Sequence, residues 1–225
     1  MLVDCYEQVP YSEAMNTAYP SPKYDDGLTV YQGVIAEIDD ALAKASESDL
    51  VCNNFLFPSA GAQEWVRFAN ALKLKMYMRI SGVADVQSAV DALVAEGNFP
   101  TSDVAWMGCW TDEGGKANPY FSEEFGSYTS VQKNVSLNLA LQGTMSSYND
   151  ARLAAFFDPS SNGNYTGAIS GTNFSVSASD HGAGYWCRPA VRFNSPVYLI
   201  TVSEVEFFLA EYYAKKDPSK AEAHY

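Results

Sequence analysis

One run of residues constrains this chain more than any other. Trp65, Phe68, Ala69, Leu72, Met76 and Ile80 recur at steps of three and four residues. That spacing puts six apolar side chains along one side of an α-helix, with Arg67, Lys73 and Lys75 on the other. An isolated helix with such a stripe is marginal in water, so other elements must cover it. The chain supplies them. Thr29 to Gln32 reads as a capping box, and Tyr31, Val34, Ile35, Ile38 and Leu42 follow on one helical face, with Glu37, Asp39 and Asp40 toward water. A third helix is expected from about Ala84 to Glu96, carrying Val86, Val90, Leu93 and Val94 and ending at Gly97. Near the end of the sequence, Thr201–Glu204 and Ser203–Glu206 both have capping-box spacing ahead of a Val205, Leu209, Tyr212 stripe. Asp217-Pro218 then signals an N-cap and a proline in the first turn of a last helix. The expected fold is mainly α. Barely two turns remain from Pro218 to Tyr225, and the expectation is a fragment of a longer polypeptide.

Between these helices the pattern breaks. Residues from Val9 to Asp26, with Pro10, Pro20 and Pro22, read as an extended connector, and Ser46 to Pro58 interrupts the helical periodicity. From Asn98 to Pro196, Gly, Ser, Asn and Asp dominate, with two weak helical patches at Val135–Gln142 and Asp150–Phe157. A structureless stretch of ~100 residues is rare inside a compact domain unless it is functional or disordered. Its aromatic residues, among them Trp106, Trp110 and Trp186, favour an ordered, functional excursion. We therefore expect one helical domain over 1–225, with 98–196 as its candidate ligand-binding excursion.

Composition removes several function classes. The net charge is -13 without a basic stripe, which opposes nucleic-acid binding. No apolar run reaches the ~18–20 residues of a membrane-spanning helix. Cys5, Cys52, Cys109 and Cys187 form no C-x-x-C pair and are expected to be free, with an incidental disulfide as the alternative. His181 and His224 lack ligand-spaced partners, so no zinc site is expected. Asp158, Ser160, Asn162 and Gly163 start like a calcium loop, but Ile169 stands where a bidentate glutamate is needed, and a turn is the better reading. Neither metal nor cofactor is called for. Catalysis is not expected: no G-x-S-x-G, H-E-x-x-H or Walker motif occurs, and the pairs Asp112-Glu113 and Glu123-Glu124 are sequence neighbours that point differently.

Several phrases occur together in order: Val9-Pro10-Tyr11-Ser12-Glu13-Ala14; Pro22-Lys23-Tyr24-Asp25 leading to Val30-Tyr31; Trp65 through Met76 continuing to Met78-Arg79-Ile80-Ser81; Asn118-Pro119; Asp150-Ala151-Arg152-Leu153; and Pro196-Val197-Tyr198-Leu199 running into Ser203–Glu211. As a set they resemble the SusD/RagB superfamily, in particular its SusD-like lipoproteins. The resemblance implies tetratricopeptide-like helix pairs, although no 34-residue period is visible in the sequence itself. It also implies non-catalytic capture of a glycan or other nutrient at the outer-membrane surface, for delivery to a TonB-dependent, SusC-like barrel transporter. Members are about twice this length and begin with a lipidated cysteine. Leu2-Val3-Asp4-Cys5 lacks the apolar segment of a signal peptide and has Asp4 where a small residue is expected, so Cys5 is not read as the anchor. Membrane attachment would run only through an anchor absent from this chain.

Aromatic residues make up 14% of the sequence, including 15 tyrosines, and core packing accounts for most of those rings. Sugar rings pack a C–H face on aromatics and need polar groups nearby. Trp106, Trp110, Tyr120, Tyr128, Tyr185 and Trp186 lie among Asp, Asn and Gly in the excursion and are the candidate ligand-binding residues. Arg188 is read first as a salt-bridge partner and second as a donor to ligand hydroxyls. Trp65, Phe68 and Arg79 are assigned to packing, and Asn70 and Arg79 to neighbouring backbone groups. Two alternatives stay open: a helical scaffold that binds only protein, and an all-helical carbohydrate-active enzyme.

Overall fold

In the computed structural model, residues 2–45, 56–57, 61–124, 139–160, 163–167 and 187–225 are described. The fold is mainly α. In chain order the elements are α1 (Leu2–Tyr6), α2 (Gly27–Lys44), α3 (Ala62–Ile80), α4 (Gln87–Glu96), β1 (Val104–Trp106), α5 (Pro119–Glu124), α6 (Leu139–Ser147), α7 (Arg152–Phe156), β2 (Phe157–Asp158), β3 (Arg188–Pro189), β4 (Val197–Ile200), α8 (Val202–Ala214) and α9 (Pro218–His224). They form two compact units, Met1–Trp106 with Val197–Tyr225, and Met107–Pro196.

In the first unit, sequence-neighbouring helices pack in pairs: α1 on α2, α2 on α3, α3 on α4, and α8 on α9. Helix α3 is central, and here the single-stripe reading needs correction. Its fully buried residues are Ala71 and Leu74, which at 100° per residue lie roughly 130° and 170° around the helix from the middle of the Trp65–Ile80 stripe. They join Val90 and Leu93 of α4, Val104, Ile200, and Val205 and Leu209 of α8 in the main core. The stripe side is itself partly covered, since Phe57 packs on Trp65 and Phe68, and α2 also packs on α3. A helix enclosed on two sides needs apolar residues on both. Its charged side chains meet four different carboxylates. Lys73 pairs with Asp39 of α2, Lys75 with Glu204 of α8 at 2.7 Å, Arg79 with Asp4 of α1 at 2.9 Å, and Arg67 with Glu64 at 2.6 Å. Arg79 therefore meets a carboxylate rather than the backbone group expected of it. Asn70 does meet backbone: its Nδ2 donates to the Asn98 carbonyl at 3.2 Å.

The stretch before α2 is a closed loop rather than an extended connector. Val9 and Asp25 exchange backbone hydrogen bonds of 3.2 and 3.0 Å, bringing its two ends together. The buried Asp25 carboxylate accepts from the Tyr11 and Ser12 amides and the Ser12 hydroxyl, which together hold it below the usual carboxylate range. Tyr11 Oη donates to Glu37 of α2 at 2.5 Å, and its ring lies where a β-carbon on Gly33 would stand, within 2.5 Å. A β-carbon there would have to displace the Tyr11 ring. The α2 cap also differs from the sequence reading. Asp26, not Thr29, is the N-cap, accepting from the Thr29 amide and hydroxyl. A carboxylate at the N-terminus completes the orphan amides better than a hydroxyl one turn in.

Three local signals appear as read. Gly97 ends α4 in the left-handed region at φ 64°, Thr201 caps α8 by accepting from Glu204 N, and Asp217 caps α9 ahead of Pro218. Helix α4 starts at Gln87, three residues later than expected.

The second unit is built from short pieces. Helix α6 runs to Ser147, beyond the expected Gln142, while residues 135–138 lie outside the described set. Asn149, at φ 50°, turns the chain into α7. Met145, Leu153 and Cys187 form a small core with Phe157 and Tyr165 against it. The Cys187 sulfur accepts from Thr166 N at 3.0 Å, and Cys5, Cys109 and Cys187 are free thiols, while Cys52 lies outside the described residues.

Candidate ligand-binding site

Trp106 ends β1, which pairs antiparallel with β4 in the register Val104↔Ile200, Ala105↔Tyr198 and Trp106↔Val197. An irregularity between Val104 and Ala105 lets both consecutive residues be buried, and the strand then presents Trp106 outward, 42% exposed. The strand itself is fixed, because Val104 and Ile200 are fully buried and Asp103 accepts from the first amide of α8 at 2.8 Å. An aromatic ring held by a ladder above a packed core is a preorganised platform. Tyr198, on β4, is also exposed and was not among the residues selected from sequence.

In the second unit, Trp110 stands before a tight turn. Thr111 N donates to Lys116 O at 3.0 Å, and Lys116 pairs with Glu113 at 2.6 Å. The Trp110 ring is half-buried, and its buried Nε1 has no acceptor. Tyr120, 46% exposed, is held by a residue that sequence reading did not place in the site. Asn118 is buried, and its Oδ1 accepts from the Tyr120 and Phe121 amides at 2.9 and 3.2 Å, capping α5. Its Nδ2 donates to Ser195 O, and its own amide donates to Phe193 O at 2.7 Å.

The ladder of β2 and β3 sets Phe157 opposite Pro189 and Asp158 opposite Arg188. The expected ion pair falls on a different arginine. Arg192 takes both oxygens of Asp158 at 2.7 Å, leaving the Arg188 guanidinium without an ion-pair or hydrogen-bond partner among the described residues. No local signal marks that choice, since Asp158 and Arg192 lie 34 residues apart.

Of the six selected aromatics, Trp106 belongs to the first unit and Trp110 and Tyr120 to the second; Tyr128, Tyr185 and Trp186 lie outside the described residues. Trp65 and Phe68 pack with Phe57, with ring centroids 5.2–6.4 Å apart, in keeping with their assignment to packing. At the calcium-like phrase, Gly163 N donates to Ser160 O at 2.9 Å with Gly163 at φ 81°, which is a turn; Asn162 and Ile169 lie outside the described residues, as does His181. No helix among the described residues is long and apolar enough to cross a membrane.

The chain matches a known family along its whole length. The SusD-like family model, described as starch-binding and associating with the outer membrane, covers residues 1–225. Among solved structures, a SusD homologue from Bacteroides uniformis is 26% identical with a TM-score of 0.75, over 95% of this chain and 45% of that one. A SusD homologue from Bacteroides ovatus is 21% identical with a TM-score of 0.73, over 99% and 47%. A chitin-binding SusD homologue from Flavobacterium johnsoniae is 24% identical with a TM-score of 0.67, over 93% and 44%. The chain thus spans about half the length of these solved relatives. No curated protein matches it.

Proposed function

This chain belongs to the SusD-like family, and from that premise we propose that it captures a glycan, without chemistry, for delivery to a TonB-dependent, SusC-like barrel transporter. The observation that carries the proposal is the family match over every residue of the chain. In this reading the parent protein sits at the outer-membrane surface through a lipid anchor. The residues proposed to contact sugar, each within its own unit, are Trp106 in the first and Trp110 and Tyr120 in the second, with Tyr128, Tyr185 and Trp186 as further candidates. Trp106 is the leading contact, because an exposed ring on a buried ladder loses little freedom when a sugar packs on it.

The test is calorimetric titration of the purified chain with a panel of plant, host and microbial polysaccharides, with reducing-end release followed in parallel. Capture predicts binding without release. Trp106→Ala should weaken binding by roughly 2- to 10-fold, the worth of one aromatic stacking contact. Release of reducing ends would make the protein an enzyme instead. Absence of binding across the panel, repeated with the full-length protein, would leave the helical scaffold as the surviving reading.

A further inference from the structure

Five arginines occur in the sequence, and four have a carboxylate within 2.6–2.9 Å: Arg67 with Glu64, Arg79 with Asp4, Arg152 with Asp150 and Arg192 with Asp158. Among the described residues Arg188 is the exception, in a chain whose net charge of -13 offers carboxylates in excess. It is also half-buried, so part of its hydration is already lost. A guanidinium in that position is ordinarily paired or hydrogen-bonded, because a partly desolvated charge without a partner costs free energy.

The ladder explains how Arg188 comes to stand alone. Asp158 lies directly across from it and would be its natural partner. Both oxygens of that carboxylate are occupied by Arg192 in a two-bond fork. Side chains alternate across a strand, and Phe157 points into the core with Met145, Leu153 and Cys187. Asp158 and Arg188 therefore point to the opposite side. Phe156, immediately before β2, is 54% exposed, and its carbonyl accepts from Ala190 N at 2.8 Å, which ties it to the same ladder. This small ladder and the residue before it thus carry an exposed ring, a guanidinium unpaired among the described residues, and a carboxylate already neutralised by a second guanidinium.

We propose that Arg188 is the anion-recognition residue of a saccharide subsite on this ladder, selecting glycans that bear a carboxylate or sulfate. This rests on the capture reading and adds the ligand class to it. A planar guanidinium matches a carboxylate or sulfate through two parallel hydrogen bonds, and Phe156, whose carbonyl is tied to the same ladder, is an exposed apolar ring. The Asp158–Arg192 pair does not repel an incoming anion, since its charges cancel locally. The overall negative charge of the protein acts at longer range and is screened beyond ~8–10 Å at ordinary salt.

The experiment titrates the purified chain with oligogalacturonate, with the same oligosaccharide after its carboxyl groups are reduced to alcohols, and with a sulfated chondroitin oligosaccharide. The unmodified protein should bind at least one anionic probe roughly tenfold or more tighter than the reduced, neutral one, as a charge-assisted hydrogen-bonded contact supplies. Arg188→Gln should abolish that preference while leaving the thermal midpoint unchanged. Arg188→Lys should restore part of it, since the charge returns without the fork. Equal binding of charged and reduced probes would overturn the assignment and leave glycan capture standing, as would a preference that survives Arg188→Gln. Failure of the chain and of the full-length protein to bind any saccharide would overturn the capture reading and this assignment with it.

Discussion

The side-chain amide of Asn118 donates to the carbonyl of Ser195 at 2.8 Å, joining points 77 residues apart, while its oxygen caps α5. One buried side chain therefore fixes both the start of the Tyr120 helix and the segment that leaves the second unit. Asn118→Ala removes the cap and strands polar groups away from water. The expected cost is about 2 kcal/mol, from a lost cap and a lost buried hydrogen bond. Urea unfolding of the variant checks this, and an unchanged midpoint would refute the double role.

Helix α3 offers a contrast between two leucines. Leu74 is fully buried in the main core, whereas Leu72 lies half-buried on the stripe side. Leu74→Ala should cost about 2–5 kcal/mol, the range for a cavity in a packed interior. Leu72→Ala should cost clearly less. A reversed order in chemical denaturation would restore the single-stripe reading of this helix.

Gly33 and Tyr11 form a second test. An alanine at 33 gains about 1 kcal/mol of helix propensity but meets the Tyr11 ring, which must leave Glu37. Gly33→Ala should stabilise a Tyr11→Ala background by about that amount and give no such gain in the native background. The double-mutant cycle reads the difference directly. Additive effects would mean that the ring does not occupy that space.

Asp91 carries the clearest pH dependence. Hydrogen bonds from Lys216, Tyr212 and Gln87 lower its pKa from the ordinary 3.8 to about 2. A folded pKa below the unfolded one means stabilisation that is fully present above about pH 4 and lost as the pH falls toward 2. Asp91→Asn should therefore be less stable than the native chain at neutral pH, with the gap closing between about pH 4 and 2. A gap that persists unchanged to pH 2 would show that the carboxylate is not the source.

The helices were legible because their signals are local. Thr201 with Glu204, Asp217 with Pro218, and Gly97 after Leu93 each settle a helix end through contacts within about four residues, which no distant part of the chain needs to supply. Trp106 was legible as an aromatic residue, but the buried ladder that holds it comes from β4, almost a hundred residues later. Tertiary structure alone decided which face of α3 lies deepest, since that depends on where α4 and α8 pack against it. It alone closed the loop between Val9 and Asp25, which sequence reads as extended because prolines specify local angles and not where a chain returns. It alone gave Asp158 to Arg192 and left the Arg188 guanidinium unpaired among the described residues. Both arginines are chemically equal claimants in the sequence, and only the three-dimensional course of the backbone brings one of them, and not the other, within 2.7 Å of the carboxylate.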